Sequence, residues 1–157
     1  MAIATIDAFD TTVQKSHLWL KELMDLGHFD SEEQAYTALS AVLHSLRDRL
    51  TVNEAAQLAS ELPMLIRGLY YEGYKPSLAP NKERTLQQFL DSIRESLRGN
   101  RLIDPRYAAV SVFQLLNEKI SAGEINDIKR MLPENIRQLW PASGEPLGDV
   151  TSRRKRH

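Results

Sequence analysis

The sequence predicts an all-α protein, a tandem duplication of a four-helix unit packed into one helical body. Three observations carry that prediction. The chain repeats itself at an ungapped displacement of seventy residues, its apolar positions follow a helical period, and hydroxyl and proline punctuation falls where helices should begin. Leu62 and Pro63 return as Leu132 and Pro133, while Leu20 meets Leu90, Ala38 meets Ala108, Val42 meets Val112 and Leu46 meets Leu116. Ile66, Arg67 and Leu69 fall in the same way on Ile136, Arg137 and Leu139.

In the first unit, Val13, His17, Leu20 and Met24 share one helical face, and Ala35, Ala38, Val42, Leu46 and Leu50 form the next. Ser31 with Gln34 and Thr51 with Glu54 read as capping boxes, in which the hydroxyl accepts from one free amide and the third helical side chain reaches back to another. Pro63 must break or restart a helix and is placed at the start of a short fourth one. The stretch GYKPSLAPN is a linker, rich in proline and small residues. In the second unit the stripes are Leu86, Phe89, Leu90, Ile93 and Leu97, then Ala108, Val112, Leu116 and Ile120. Asp104 caps a helix whose first residue is Pro105, Ser121 with Glu124 forms another capping box, and Pro133 repeats the role of Pro63. The predicted organisation is a unit over 1–72, a linker over 73–81, a second unit over 82–140 and a flexible basic tail over 141–157.

Composition closes several classes of function. The chain of 157 residues has no cysteine, which excludes disulfides, thiolate metal sites and cysteine nucleophiles. Its 42% apolar and 26% charged residues match soluble globular proteins, and no apolar run approaches the roughly 20 residues that a membrane span needs. Asp7 and Asp10 stand where a signal peptide would be basic, so a cytoplasmic protein without membrane contact is expected. The formal charge of −1 hides an asymmetry, because Arg153, Arg154, Lys155 and Arg156 end the chain and leave sixteen basic against 21 acidic side chains elsewhere. Such a body binds polyanions poorly, whereas the tail alone can touch nucleic acid.

The segment LRDRLTVNEAAQLASELPMLIRGLYYEGYKP, from Leu46 to Pro76, together with the LP and LWP elements of the second half, closely resembles the bacterial family known as domain of unknown function 2267. The likeness extends over nearly the whole chain. Glu61 stands where the family pattern has glutamine, and Tyr74 where it has tryptophan. The resemblance implies an α-helical protein and brings no catalytic residues with it.

The residues themselves offer little chemistry. His44 and Asp48 have helical spacing for two ligands of a zinc or iron site, but a third ligand is not apparent and His44 falls off the apolar stripe, as an exposed side chain would. There is no G-x-S-x-G elbow, phosphate loop or dinucleotide fingerprint, and no catalytic residue, metal or cofactor is expected. LTVNEAAQLASELP has the shape of the first half of a helix-turn-helix, but PMLIRGLYY as its recognition helix would bring one arginine to DNA.

Charge repeats more tellingly, since Asp48 returns as Glu118, Glu54 as Glu124 and Arg67 as Arg137. Two readings stand: an interhelical ion pair that steers the fourth helix, or a guanidinium fork that captures an anionic ligand or a partner's carboxylate. Tyr70 and Trp140 occupy equivalent positions and should be core, which frees Tyr71 and Tyr74 for an exposed patch. The expected function is that of a non-enzymatic interaction or adaptor protein with a protein partner, using Arg67, Tyr71, Tyr74 and Arg137. The alternatives are a nucleic-acid-associated protein acting through its tail, and an enzyme with an unrecognised site.

Overall fold

Eight α-helices follow one another in the computed structural model, which describes residues 6–98, 100 and 102–142, and no strand occurs among the described residues. They are α1 (Asp7–Gly27), α2 (Glu32–Arg47), α3 (Val52–Ser60), α4 (Met64–Tyr71), α5 (Leu86–Ser96), α6 (Pro105–Lys119), α7 (Ala122–Met131) and α8 (Glu134–Arg137). A single 3-10 turn, Pro76–Leu78, interrupts the connection between α4 and α5.

The helix starts agree with their local chemistry. Ser31, Thr51, Asp104 and Ser121 each accept a hydrogen bond from the backbone N–H three residues on, and Pro63 and Pro133 are the N-caps of α4 and α8. Only the hydroxyl halves of the expected capping boxes form. Gln34 accepts from the N–H of Asp30, and the N–H of Ser121 donates to Glu61 from the other half of the chain. A complete capping box is found instead at Thr85 and Gln88, where α5 begins. Helix α1 has Asp7 and Asp10 in its first turn, where the helix dipole favours acids, and ends on His28 in the left-handed conformation, with the N–H of Phe29 bonded to the carbonyl of Met24.

Helices α2 and α6 are the centre of the body. Ala41 to Arg47 are buried apart from half-buried His44, and Ser111 to Leu116 are buried without exception. The other helices wrap this pair: α1 lies on α2 and α6, α5 lies on the same two, and α3 meets α7. Exchanging the two halves carries the contact of α1 with α6 onto that of α5 with α2, that of α1 with α4 onto that of α5 with α8, and leaves α2–α6 and α3–α7 in place.

The aromatic core follows the expectation for Tyr70 and Trp140, both buried. Trp140 stacks on Phe113 with centroids 4.0 Å apart and an interplanar angle of 10°, and the Tyr70 hydroxyl donates to the carbonyl of Ala55 over 2.9 Å. Val13 and His17, by contrast, are exposed although they continue the stripe of α1. Val13 lies a turn before Ser16, the first side chain that α1 buries, and its matching position, Glu83, precedes α5; His17 is instead hydrogen-bonded to Glu32 at the start of α2 over 2.9 Å. At the other end the body runs one residue beyond its expected boundary, since Pro141 is buried and its carbonyl accepts from Asn117 over 2.8 Å. The basic tail, with Arg153, Arg154, Lys155 and Arg156, lies outside the described residues.

Gly27 has the tightest surroundings of the described glycines, because a Cβ there would overlap the ring of Phe29. Gly27→Ala is expected to displace that half-buried ring and to lower stability by about 1–3 kcal/mol in urea denaturation, the usual scale of overpacking.

Candidate functional site

Short helices leave a large share of their carbonyls unpaired at the C-terminus, and buried carbonyls need donors. Three arginines supply them. Arg47, the last residue of α2 and only 4% exposed, donates through Nη1 to the carbonyls of Tyr70 (2.7 Å) and Glu72 (2.8 Å), where the chain leaves α4. Its Nε–H donates to Asp48 over 3.0 Å, and its guanidinium carbon lies 5.1 Å from the centre of the Tyr74 ring. Arg49 is buried as well, bonds the carbonyl of Ser45 and the carboxylate of Glu83, and lies against Phe89. Burial pulls its guanidinium below the ordinary arginine value, and Glu83 pushes the other way.

Arg67 does not form the expected ion pair with Asp48 or Glu54. Its Nε–H donates to the carbonyl of Ala59 (2.8 Å) and its Nη2–H to that of Leu62 (2.9 Å). The cause is the sharp restart at Pro63, which folds α4 back so that Arg67 covers the carbonyl end of α3, the negative end of its dipole. Arg137 ends a helix of only four residues, is exposed, and its side chain has no hydrogen bond or ion pair among the described residues. Asp48 pairs with Arg47, and Glu118 accepts from Gln114 over 3.3 Å. The trio therefore does not act as a unit.

Glu54 and Glu124 instead meet each other. Helices α3 and α7 pack antiparallel, since Thr51 at the start of α3 reaches Met131 at the end of α7, and Glu61 just past the end of α3 binds the N–H and hydroxyl of Ser121 at the start of α7 (2.8 and 2.9 Å). The two glutamates face one another across this seam, each only 6% exposed. Burial, with Glu54 next, pushes the Glu124 carboxyl up to about 8.

An open cleft of 840 Å³ lies between the first turns of α1, the corner joining α3 to α4, and the end of α6. Its apolar wall includes Trp19, Leu62 and Pro63, its cations are Lys15, Arg67 and Lys119, and its acids are Asp7 and Glu61, the latter bound to Ser121. The carbonyls of Ala59 and Leu62 fix the Arg67 side chain there and leave Nη1 without a partner among the described residues. Lys119 pairs with Glu22 of α1.

The remaining expectations divide. Tyr71 is exposed at 36% and forms part of a surface, whereas Tyr74 is half-buried against Arg47 and Tyr71. His44 is half-buried, not exposed, and its ring Nε2 donates to the carbonyl of Leu69 over 2.7 Å; burial lowers its pKa. Arg47 and Arg49 were not singled out by sequence reasoning. Their one signal is position, because in LRDRL they flank Asp48 between core residues Leu46 and Leu50. No described helix is long and apolar enough to cross a membrane.

A family model described as "Uncharacterized conserved protein (DUF2267)" matches residues 16–139. No curated protein matches the sequence. The matched span begins at Ser16, the first buried residue of α1, so Asp7 to Lys15, which line one side of the cleft, lie outside it.

Two predictions follow from these bonds. In chemical denaturation Arg47→Ala is expected to cost about 3 kcal/mol, because it strands two carbonyls that shared one charged donor, and Arg67→Ala about 1–2 kcal/mol; Arg137→Ala should stay within about 0.5 kcal/mol. The second concerns pH. Glu124 binds its proton more tightly when folded than at its ordinary value of 4.5, so its contribution to stability is complete below that pH and is lost as pH rises through about 8. Stability measured from pH 4.5 to 8 should carry a falling component of up to ~1.4 kcal/mol per pH unit, which Glu124→Gln removes.

Proposed function

The chain belongs to the family described as uncharacterized conserved protein (DUF2267), and from that premise we propose that it is a non-enzymatic interaction protein whose cleft beside α1 receives an acidic, partly apolar segment of a protein partner. The observation that carries this reading is the state of Arg67. A guanidinium held by two backbone carbonyls has already lost its rotamer freedom, so the open Nη1 accepts a carboxylate at little further entropic cost. Lys15 lines the same cleft, and Leu18 and Met64 extend the apolar wall with exposed side chains.

The second half of the chain supports the chemistry of the occupant. We infer that the halves are copies of one unit, on the strength of the seventy-residue displacement and the exchange of helix contacts. The counterpart of Lys119 is then Arg49, and the connection leading into α5 places the carboxylate of Glu83 on it. Arg84 of the same connection donates over 3.4 Å to the carbonyl of Met131, the counterpart of Glu61 in the cleft wall. A segment bearing a carboxylate thus covers in one half what the cleft leaves open in the other.

The test is a phage-displayed peptide selection against the intact chain. Selected peptides should combine Asp or Glu with apolar residues, and Arg67→Ala with Lys15→Ala should weaken them roughly tenfold or more, the scale of a lost charge-assisted bond. Peptides of basic composition, or binding indifferent to both substitutions, would place the contact elsewhere.

A further inference from the structure

We propose that Glu54, Glu124 and Asp127 form a binding site for a hard divalent cation at the seam between α3 and α7. One oxygen from each carboxylate can be chosen so that all three lie within 4.8 Å of one another, a span that a single ion with oxygen ligands at about 2.3–2.6 Å can bridge. Three carboxylates and no nitrogen or sulfur donor select calcium, magnesium or manganese over softer metals.

Proximity of acids alone would be weak grounds; the burial of the two glutamates is what separates this group from an acidic surface patch. Glu54 and Glu124 are each only 6% exposed, and Oε2 of both is buried without a hydrogen-bond partner. A buried carboxylate oxygen without a donor is expensive, and it is kept only where a positive charge or a proton compensates it. The surrounding elements supply no positive charge, which leaves a proton shared between the two carboxyls as the alternative to a cation. Glu61, past the end of α3, adds negative charge, and the hydroxyl of Tyr70 on α4 is already committed to the carbonyl of Ala55. The nearby cation Arg130 spends its Nη1 on Oδ1 of Asp127, over 2.9 Å, and is itself exposed.

The competitor for the site is the proton. Carboxylates ligate a cation only when deprotonated, so the apparent affinity should rise with pH. The bound ion would join the halves of the molecule, because its ligands come from α3 on one side and α7 on the other. This site shares no residue with the cleft, and the failure of either proposal leaves the other standing.

The intact chain, stripped with chelator, is titrated with calcium, magnesium and manganese alone at about pH 8.5 and about pH 6, following heat release and melting temperature. At least one ion should bind one-to-one, raise the melting temperature at the higher pH, and bind more weakly at the lower. Glu54→Gln and Glu124→Gln should each abolish this, and Asp127→Asn should weaken it. Manganese broadening of amide resonances in the wild-type chain, centred on Ala55 and Ile125, locates the ion should a variant fail to fold. Absence of saturable binding by all three ions up to about 10 mM, beyond the weakest ordinary calcium sites, would overturn the proposal and leave a shared proton as the only compensation. So would binding that survives both glutamine substitutions or broadening centred elsewhere.

Discussion

A donor at the C-terminal end of each central helix holds the chain that leaves the fourth helix, and the arrangement of everything outside the centre depends on that grip. Arg47 ends α2 and binds the carbonyls of Tyr70 and Glu72; seventy residues on, Asn117 near the end of α6 binds the carbonyl of Pro141 and accepts from the indole N–H of Trp140 over 2.6 Å. Helices of eight and four residues have almost no stability of their own. Their ends are pinned from the core instead. Once α4 is pinned, the connection that follows is drawn along α2, where the N–H of Asn81 binds the carbonyl of Asp48 and Glu83 binds Arg49. That delivers α5 onto α2 beside the Ser45–Ser92 hydrogen bond.

The same grip is built from different chemistry in the two halves, and the difference has consequences. Arg47 carries a full charge into the interior, which is tolerable only because carbonyl dipoles, Asp48 and the face of Tyr74 surround it. Asn117 does the equivalent work without charge and binds both an indole and a carbonyl. Arg49 is buried under the connection into α5, whereas Lys119 stands at an open cleft. The second half is closed by its own chain, and the first half is the open one.

Sequence reasoning recovered the features that one helix or one turn decides alone. The stripes of α2, α5 and α6, the hydroxyl caps, the restarts at Pro63 and Pro133 and the burial of Tyr70 and Trp140 are of that kind, while the stripe of α1 is not. It missed Arg47 and Arg49, because a charged run at a helix end looks solvated until the returning chain covers it. It also assigned the wrong partners to Arg67 and Glu54. A pair of residues related by displacement suggests equivalent duties within each unit, so the search for a partner stayed inside the unit. Glu54 instead faces Glu124 where α3 meets α7, and which helices of the two halves meet is not written in a one-dimensional pattern.

On the proposed duplication, the exchange of the halves accounts for a seam under electrostatic tension beside a rim that is not. Where two equivalent surfaces meet face to face, a residue off the axis meets a different residue of the other surface, so opposite chemistry can be placed on the two sides. Positions 61 and 131 do this: Glu61 binds the start of α7, and Met131 meets Thr51 at the start of α3. A residue on the axis meets its own counterpart, and if it is acidic in both halves its neighbour must be acidic too. Glu54 and Glu124 are in that situation, and their helices bury them together. Two like charges in low dielectric repel by several kcal/mol unless one is neutralised. A positive charge between the glutamates relieves that repulsion, and the proton that burial and Glu54 hold on Glu124 up to about 8 couples the packing of α3 on α7 to the pH of the solution.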